Sequence, residues 1–532
     1  MDLLNRRADA EIAADHAARA ARLHRPLGRN LESVPAKALA VLDRYAAVVW
    51  ALGFFILVKS QVPLQQVYEF DPDEGNNLIK SLLLARGFGF GEIWSDQPPL
   101  FSYLLLVVFK TFGWDVDHGR LLMLAFAAAL LFAIYDILRL ELGHIAASAG
   151  VILLVFSHEF IARSVSVMLG LPAISLAALS VWALVRWHHS AYERWLVCSG
   201  LFFGCSIATK IFTAFVVPVC ALYLIGCAWN QSPKGGWLRP SCLWAATLAL
   251  TALIALSPAL LSGHPEQLFQ AHFAASRLTT KWLKFHGRMV VPEFLGQDLT
   301  LFCLSAIGIV YSGWRRRAVG LVFGCWLGLA AILLYHHYPV WTHHRQLLSV
   351  PASALAGLAI GGFVSETRSC WRRARGARWA VPAAILVLLG LARVGVNYQR
   401  LFQPSHRSDN ERDRRVETEI RRYAPYTRYM ITSRPMYAFR VGLPTPPDLA
   451  VTSYKRFATR LLTAKTILRD LAAYAPEQVL LSSRWSRGVR SELQTALRYD
   501  YQRVYRDPRN HSVELYVKRD LVEAYGRQPG QR

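Results

Sequence analysis

The chain has 532 residues, of which 53% are hydrophobic and 18% are charged, and its mean hydropathy is +0.24. This composition is too apolar for a soluble globular protein of this length and indicates a polytopic membrane protein. The formal net charge is +24, but the basic residues are distributed as in membrane proteins, so we expect no nucleic-acid partner. The cysteines form no CxxC pair and none follows Cys370, so the sequence predicts neither a disulfide framework nor a thiolate metal site.

The first 44 residues are polar and rich in arginine and alanine. Aspartate and glutamate occur throughout this stretch, so it lacks the pattern of a cleavable signal peptide. We expect residues 1–44 to form a cytoplasmic amphipathic arm that anchors the amino terminus on the inner side of the membrane.

Apolar segments then recur as far as residue 396 and predict a transmembrane domain over residues 45–396. We expect about eleven transmembrane helices, at 46–62, 121–140, 145–161, 171–187, 195–208, 211–228, 243–261, 299–311, 319–334, 347–364 and 379–396. Some of these segments are shorter than the roughly 20 residues that a span needs, so flanking aromatic and basic side chains should complete them. A soluble domain over residues 397–532 is predicted to follow.

The short loops between these segments predict the orientation. With the amino terminus in the cytoplasm, the basic clusters fall on the inner side, as the positive-inside rule requires. These clusters are Arg139, Arg186, Arg194, Lys234, Arg239, Arg315, Arg316, Arg317, Arg368, Arg372, Arg373, Arg375 and Arg378. An odd number of spans then places loops 63–120 and 262–298 and the soluble domain on the outer face, the periplasmic or extracellular side of a bacterial inner membrane.

The first outer loop contains the acidic stretch Phe70-Asp71-Pro72-Asp73-Glu74-Gly75. Asp73 is placed to cap a helix over residues 74–86, and Gly87 is placed to end it. Leucine and isoleucine on one side of this helix predict that it lies along the membrane surface. The apolar stretch 100–112 is too short to span a bilayer and predicts a re-entrant or interfacial helix.

The tail alternates strand-like and helical patterns, which is typical of a small α/β domain. Strands are predicted at 429–432, 449–452, 478–481, 503–505 and 513–517, and helices at 454–474 and 486–497. The basic character of this domain suits either an anionic ligand or an ordinary solvated surface.

The acidic stretch has two interpretations that its residues alone leave open. A string of this kind is an ordinary turn and helix cap. A carboxylate at the edge of a membrane can also deprotonate a hydroxyl or an amine, or hold a divalent cation. Asp73 is the first candidate for such chemistry, with Glu74 and Asp71 as supporting residues.

The order of several short motifs resembles that of a known family. After the acidic stretch come Ala85-Arg86-Gly87, Gln97-Pro98-Pro99-Leu100, Ile161-Ala162-Arg163, Ala208-Thr209-Lys210 and His344-Arg345-Gln346-Leu347-Leu348. Over residues 45–365, and in its plan of an outer α/β tail, the chain resembles the polyprenyl-phosphate-sugar-dependent glycosyltransferases of the GT-C fold. More narrowly, it is similar to the protein O-mannosyltransferase and lipid A aminoarabinose transferase superfamily.

The resemblance implies a membrane glycosyltransferase that moves a sugar from a polyprenyl-phosphate-linked donor to a lipid, glycan or protein acceptor, without a nucleotide cofactor. Asp73, next to Glu74, takes the position of the family's first acidic residue, which serves as catalytic base or metal-site acid. The leaving phosphate needs charge stabilisation rather than a general acid. The candidates for binding it are Arg163, Lys210, Arg277, Lys281, Lys284, Arg288, His344, Arg345 and Gln97.

Two positions depart from the family pattern. Gly170 stands where family members often carry a second acidic residue, and Gln97 stands where a lysine often precedes the Pro-Pro pair. A bound divalent cation, Mg²⁺ or Mn²⁺, is therefore an open expectation. Its candidate ligands are Asp73 and, as the nearest replacement acid, Glu159.

Two other functions stay open beside the transferase. A transporter or flippase of lipid-linked sugars should carry broken or polar helices at mid-membrane, whereas the charges here collect at one face. A non-catalytic envelope assembly protein with the same fold would explain Gly170 and Gln97. The histidines at 336, 337, 343 and 344 fit an interfacial polar cluster better than a metal site.

Overall fold

The computed structural model describes residues 34–231, 236–268, 270, 285–372, 385, 388, 410–508 and 513–525. The chain divides into two compact units, Met1–Val49 and Trp50–Arg532. The described part of the first unit is helical from Val34 onward. Residues 1–33 of the predicted arm, and the predicted eleventh span at 379–396 apart from residues 385 and 388, lie outside the described residues.

The described part of the chain before residue 373 is built from helices. They are α1 (Val34–Gln61), α2 (Glu74–Ala85), α3 (Leu100–Phe112), α4 (Val116–Leu142), α5 (His144–Val155), α6 (Phe160–Val165), α7 (Gly170–Ser190), α8 (Arg194–Thr209), α9 (Val217–Gln231), α10 (Leu238–Leu260), α11 (Gly287–Gln297), α12 (Leu299–Trp314), α13 (Ala318–His336) and α14 (Gln346–Arg372). Two 3₁₀ turns, Ile211–Val216 and Thr342–Arg345, lead into α9 and α14.

Six segments in the described ranges are long and apolar enough to cross a membrane, namely Val116–Leu142, Gly170–Ser190, Ile211–Asn230, Leu238–Leu260, Ala318–His336 and Thr342–Thr367. The pair α11 and α12, bent by 89°, makes a seventh if it counts as one span. Three more predicted spans correspond to shorter apolar helices, Tyr45–Gln61, His144–Val155 and Arg194–Thr209. By length, six or seven of the eleven predicted spans are therefore present among the described residues. Three others correspond to apolar stretches of 10–17 residues, and the eleventh lies largely outside the described residues.

Small residues bring the membrane helices into close contact, as is usual where lipid removes the hydrophobic drive for association. A Cβ atom added to Gly357 of α14 would lie 2.9 Å from the Cα of Gly150 in α5. At the contact of α8 with α10, a Cβ on Gly204 would lie 2.6 Å from the Cβ of Thr251. Both positions therefore exclude any larger side chain without movement of a helix backbone.

Helix α2 forms where the sequence predicts it, and Gly87 follows its end with a φ of 94°. Every residue from Glu74 to Leu83 is buried. A Cβ on Gly75 would lie 2.3 Å from the backbone nitrogen of Met436, so the C-terminal domain packs directly on this helix. The helix is therefore enclosed by protein, and its location along the membrane surface stays a prediction.

The C-terminal domain has a four-stranded mixed sheet of β1 (Met430–Thr432), β2 (Gln478–Ser482), β3 (Tyr501–Arg506) and β4 (Val513–Lys518), in the order β1-β2-β4-β3. The first two strands are parallel, and β4 is antiparallel to both of its neighbours. The helices are α15 (Asn410–Tyr423), α16 (Pro435–Arg440), α17 (Tyr454–Ala458), α18 (Ala464–Tyr474), α19 (Arg487–Ala496) and α20 (Arg519–Tyr525). The predicted small α/β domain is therefore present.

Two details of that domain differ from the prediction. The strand expected at 449–452 is absent from this described segment, where a 3₁₀ turn covers Pro447–Leu449. The single helix expected at 454–474 is divided into α17 and α18. Arg460 adopts a left-handed φ of 60° between them, and the side chain of Thr463 caps α18 by accepting a hydrogen bond from the backbone N–H of Thr466.

Candidate active site

A cavity of about 410 Å³ lies between the acidic stretch, the start of α7, the residues that follow α8, the 3₁₀ turn before α14 and the C-terminal domain. Its charged lining residues come from distant parts of the chain. The acids are Asp71, Asp73 and Asp96, and the cations are Lys80, Lys210, Lys455 and Arg484. Carboxylates and ammonium groups therefore share one space, as the predicted chemistry of Asp73 requires.

Asp73 occupies the N-cap position of α2, but its side chain makes no capping hydrogen bond to the helix backbone. Its Oδ1 instead accepts a hydrogen bond from Nδ2 of Asn76 at 3.0 Å. Burial and the negative charge of Asp71 raise the pKa of Asp73 to about 7. A carboxylate with a pKa in this range is suited to accept a proton near neutral pH.

Asp71 is held by an arginine that the sequence analysis assigns to phosphate binding. Arg163 lies 2.5 Å from Oδ2 of Asp71 and 2.7 Å from Oε2 of Glu159. Arg163 also donates to the hydroxyl of Thr342 at 2.8 Å. Arg163 and Glu159 do not line the cavity, so their geometry fits a role in fixing the acidic stretch.

Glu74 also lies outside the cavity lining, although it follows Asp73 directly. Its carboxylate forms a fully buried ion pair with Arg120 at 3.1 Å. Its two oxygens additionally accept hydrogen bonds from the backbone N–H groups of Phe70 at 2.7 Å and Val167 at 3.0 Å. These contacts give Glu74 a structural position, and the geometry does not support the predicted catalytic role.

Lysines from two membrane-domain elements line the cavity. Lys80 is on α2, two turns after Asp73, and its ammonium group donates to the hydroxyl of Ser95 at 3.4 Å. Lys210 follows the end of α8, and its Nζ lies 3.9 Å from the point where a Cβ on Gly170 would stand. Burial lowers the pKa of each to about 8. Both are therefore mostly protonated at neutral pH.

Four further charged residues of the lining were not predicted from the sequence: Lys80, Asp96, Lys455 and Arg484. A signal was available for Lys80, because residues 73, 76, 77 and 80 recur at helical spacing and thus share one face of α2. Lys455 and Arg484 are brought to the cavity by contacts of the folded C-terminal domain, which sequence spacing does not reveal.

Of the other predicted binding residues, some line the cavity, some lie outside it, and some lie outside the described residues. Gln97 and His344 line the cavity, together with His337 and His343. Arg345 is buried outside it, bonded to the side-chain oxygen of Gln297 and 4.5 Å from the ring centre of Phe294. Arg288 is exposed and lies 5.9 Å from the ring centre of Tyr335. Arg277, Lys281 and Lys284 lie outside the described residues.

The residues around Asp73 do not fit a divalent cation. Among the residues that the structure describes, no group of three or more His, Cys, Asp or Glu side chains is placed to hold a metal ion. Gly170 lines the cavity without a carboxylate, and Glu159 is paired with Arg163. The structure does not bring Asp73 and Glu159 together as Mg²⁺ or Mn²⁺ ligands, so no chemical step is assigned to a metal.

The C-terminal domain contacts the loop that precedes α3 through a hydrogen bond and a cation–π contact. The backbone N–H of Trp94 donates to the carbonyl of Pro447 at 3.1 Å, and the guanidinium of Arg456 lies 3.9 Å from the Trp94 ring centre. A cation at this distance from an indole face is attracted by the ring quadrupole. This contact fixes the domain beside Asp96 and places Lys455 in the cavity wall.

Comparisons with known proteins agree with this architecture. A family model described as dolichyl-phosphate-mannose-protein mannosyltransferase matches residues 96–261, a segment that includes Gly170 and Lys210. No curated protein matches the chain significantly.

The fold is similar to that of ArnT from Cupriavidus metallidurans bound to undecaprenyl phosphate, with a TM-score of 0.59, 15% identity, and coverage of 90% of this chain and 98% of that chain. It is similar to the apo state of the same protein, with a TM-score of 0.58, 14% identity, and coverage of 91% and 98%. It is also similar to the oligosaccharyltransferase AglB from Archaeoglobus fulgidus in complex with an inhibitory peptide and a dolichol-phosphate, with a TM-score of 0.54, 12% identity, and coverage of 90% and 74%. The chain has the GT-C fold, and the resemblance to polyprenyl-phosphate-dependent glycosyltransferases that its motif order predicts is confirmed.

Proposed function

We propose that this protein transfers a sugar from a polyprenyl-phosphate-linked donor to a hydroxyl or phosphate acceptor in the cavity at Asp73. The matched family and the shared fold support a glycosyltransferase of the GT-C type. The observation that carries the proposal is one cavity that combines a carboxylate of near-neutral pKa with four cationic side chains.

Asp73 would act as the general base. As the acceptor oxygen attacks the anomeric carbon, its proton passes to the Asp73 carboxylate, and the bond between that carbon and the phosphate oxygen breaks. The hydrogen bond from Asn76 at 3.0 Å holds one carboxylate oxygen. A base whose pKa lies close to the working pH combines the correct protonation state with useful basicity.

The cations would stabilise the leaving group. A sugar phosphodiester carries one negative charge, and the released polyprenyl phosphate carries up to two, so negative charge grows as the bond breaks. Lys80, Lys210 and Lys455 line the cavity where this charge would develop. Cations fixed before the reaction stabilise such a transition state more than the ground state, and no general acid is required.

We propose that this reaction takes place at the periplasmic face of a bacterial inner membrane, with the amino terminus in the cytoplasm. The distribution of arginines among the short loops supports that orientation. The donor's isoprenoid chain would remain in the lipid while its phosphate enters the cavity.

The test compares wild-type protein with Asp73→Asn, purified in detergent. The donors are undecaprenyl phosphates carrying a tritiated sugar, mannose first, and a bacterial membrane extract supplies acceptors. We expect Asp73→Asn to lower transfer by about 100-fold or more, since this is the usual contribution of a general base, while binding of undecaprenyl phosphate is retained. Asp115→Asn is the matched control, because Asp115 is an exposed helix cap that asparagine can replace.

Transfer by Asp73→Asn at the wild-type rate would remove the central claim. Wild-type protein that binds the donor but transfers no sugar would favour the non-catalytic assembly protein. Movement of intact donor across a liposome membrane, without sugar transfer, would favour the transporter.

A further inference from the structure

Arg484 of the C-terminal domain reaches the acidic stretch from the turn after β2. Its Nη1 donates to the backbone carbonyl of Pro72 at 3.2 Å, and its Nη2 donates to Oε2 of Glu69 at 3.2 Å. Pro72 directly precedes Asp73, and Glu69 directly precedes the stretch. One guanidinium therefore joins the residue before the acidic stretch to the peptide bond that enters Asp73.

The other side of this contact is fixed by a buried network. Glu69 Oε2 also accepts from Nη2 of Arg434 at 2.8 Å, and Arg434 pairs with Asp413 at 3.0 Å. The hydroxyl of Tyr437 donates to Asp413 at 2.6 Å. Because Glu69, Asp413 and Arg434 are all buried, the Glu69 carboxylate, to which Arg484 donates, has little freedom to move. The domain thus holds the loop at two linked points.

Arg484 also lies in the electrostatic field of the cavity. Its positive charge lowers the pKa of Asp73, against the larger effects of burial and of Asp71, while Asp96 raises it. Lys80 and Lys210 interact with the Asp73 charge from α2 and from the end of α8. The remaining titratable groups in the lining are Lys455, His337, His343 and His344.

We propose that Arg484 is a positioning residue, through which the C-terminal domain sets the place and the charge environment of Asp73. The arginine acts on the loop and needs no contact with the substrate. This inference rests on the proposed function, because it takes Asp73 as the base. It assigns the soluble domain a part in the chemistry beyond covering the cavity.

Two variants separate geometry from charge. Arg484→Gln removes the positive charge and the two hydrogen bonds of the guanidinium. Arg484→Lys keeps the positive charge but loses the planar guanidinium that reaches two acceptors. Arg487→Gln is the matched control, because Arg487 is exposed three residues further on. Each variant is measured with the tritiated undecaprenyl-phosphate sugar over a pH series, together with its thermal unfolding.

For Arg484→Gln we expect kcat to fall by about tenfold, the scale of a small misplacement of a reacting group. We also expect the acidic limb of its pH–rate profile to move to higher pH. The sign follows from the charge: without the arginine, the pKa of Asp73 rises, and a base works only above its pKa. Arg484→Lys should keep the limb at the wild-type pH while kcat is still reduced. Arg487→Gln should match wild type in both.

The inference would be overturned if Arg484→Gln kept both the wild-type kcat and the wild-type pH of the acidic limb. It would also be overturned if the variant lost activity only in proportion to a lower thermal unfolding temperature. These outcomes are distinguishable from failure of the proposed function. If Asp73→Asn is inactive while Arg484→Gln is normal, the function stands and only the role of Arg484 falls. If Asp73→Asn is fully active, both fall.

Discussion

The carboxylate of Glu74 and the guanidinium of Arg120 form an ion pair of 3.1 Å in which neither side chain is exposed to solvent. Arg120 also donates to the carbonyls of Leu64 at 2.5 Å and Val67 at 2.9 Å, and it lies 4.6 Å from the ring centre of Phe70. The pair therefore ties the start of α2 to the chain that leads into the acidic stretch. Glu74 and Asp73 are neighbours in sequence, but one supports the loop and the other faces the cavity.

Replacing Arg120 by methionine should destabilise the fold strongly. The substitution leaves the buried Glu74 carboxylate without its cation, and breaking a buried ion pair in this way typically costs about 3–5 kcal/mol. The measurement is thermal or denaturant unfolding of the detergent-solubilised protein, together with its yield from membranes. We expect lower yield and an earlier unfolding transition than in the wild type.

Arg86→Met provides the control for that change. Arg86 is exposed and donates to the carbonyl of Gly442 at 2.9 Å, so its loss should cost about 1 kcal/mol or less. A double variant, Arg120→Met with Glu74→Gln, should recover part of the lost stability because it removes the unpaired charge. Equal stability of Arg120→Met and wild type would show that the pair does not support the loop.

The sequence was sufficient to predict elements defined by local patterns. The course of α2, the short helix α3 and most of the C-terminal strands follow from hydrophobic periodicity and from turn residues such as Gly87. Asp73, Gln97, Lys210 and His344 were also predicted, and all four line the cavity. They could be predicted because the family resemblance gives an order of motifs, and that order survives in the fold.

The rest depends on contacts between distant segments. Arg163 was predicted to bind phosphate, but its guanidinium donates to the carboxylate of Asp71, which lies 92 positions earlier in the chain. Arg484 is 412 positions from Pro72, a separation that no local pattern spans. The burial of α2 on a second face could not be predicted, because amphipathicity shows that a helix buries one face but not that a second domain covers the other.

The transfer rate should depend on pH as a bell-shaped curve. Asp73 must lose its proton to act as a base, so the rate should rise as pH passes its pKa of about 7. Lys80 and Lys210 must keep their protons to stabilise the leaving phosphate, so the rate should fall as pH passes about 8. The check is kcat/KM for the tritiated donor between pH 5 and pH 10, where such a curve reports the groups of the free enzyme. A rate that only falls from pH 5 upward would contradict Asp73 as the base.

Introducing an acid at position 170 should weaken donor binding rather than improve catalysis. A Cβ at Gly170 meets only ordinary contacts, with the nearest atoms, the carbonyl oxygen of His343 and Nζ of Lys210, both at 3.9 Å. The carboxylate of Gly170→Asp would therefore fit and would pair with Lys210, in competition with the donor phosphate. We expect KM for the donor to rise by about tenfold, the effect of losing one charge-assisted hydrogen bond, with unfolding unchanged.

Gly170→Asn separates charge from size, because asparagine has the shape of aspartate without its charge. Its KM should stay near the wild-type value. A gain of activity in Gly170→Asp that requires added Mg²⁺ or Mn²⁺ would show instead that the cavity can hold a metal ion once a second acid is present.

Asp71→Asn should move the acidic limb of the pH–rate profile downward, opposite to the effect of Arg484→Gln. The negative charge of Asp71 raises the pKa of Asp73, so removing that charge lets Asp73 lose its proton at lower pH. The asparagine oxygen can still accept from the backbone N–H of Asp73, now 3.0 Å from Asp71 Oδ1, but the amide nitrogen cannot accept from Arg163, so thermal unfolding of the variant is measured beside its activity. The plateau rate should fall because a carboxylate of lower pKa is a weaker base.

Glu159→Gln is the control for this prediction, since Glu159 pairs with the same Arg163 but lies outside the cavity lining. The acidic limb of its pH–rate profile should stay at the wild-type pH. An Asp71→Asn limb that stays in place or moves upward would mean that the charge of Asp71 does not act on the catalytic base.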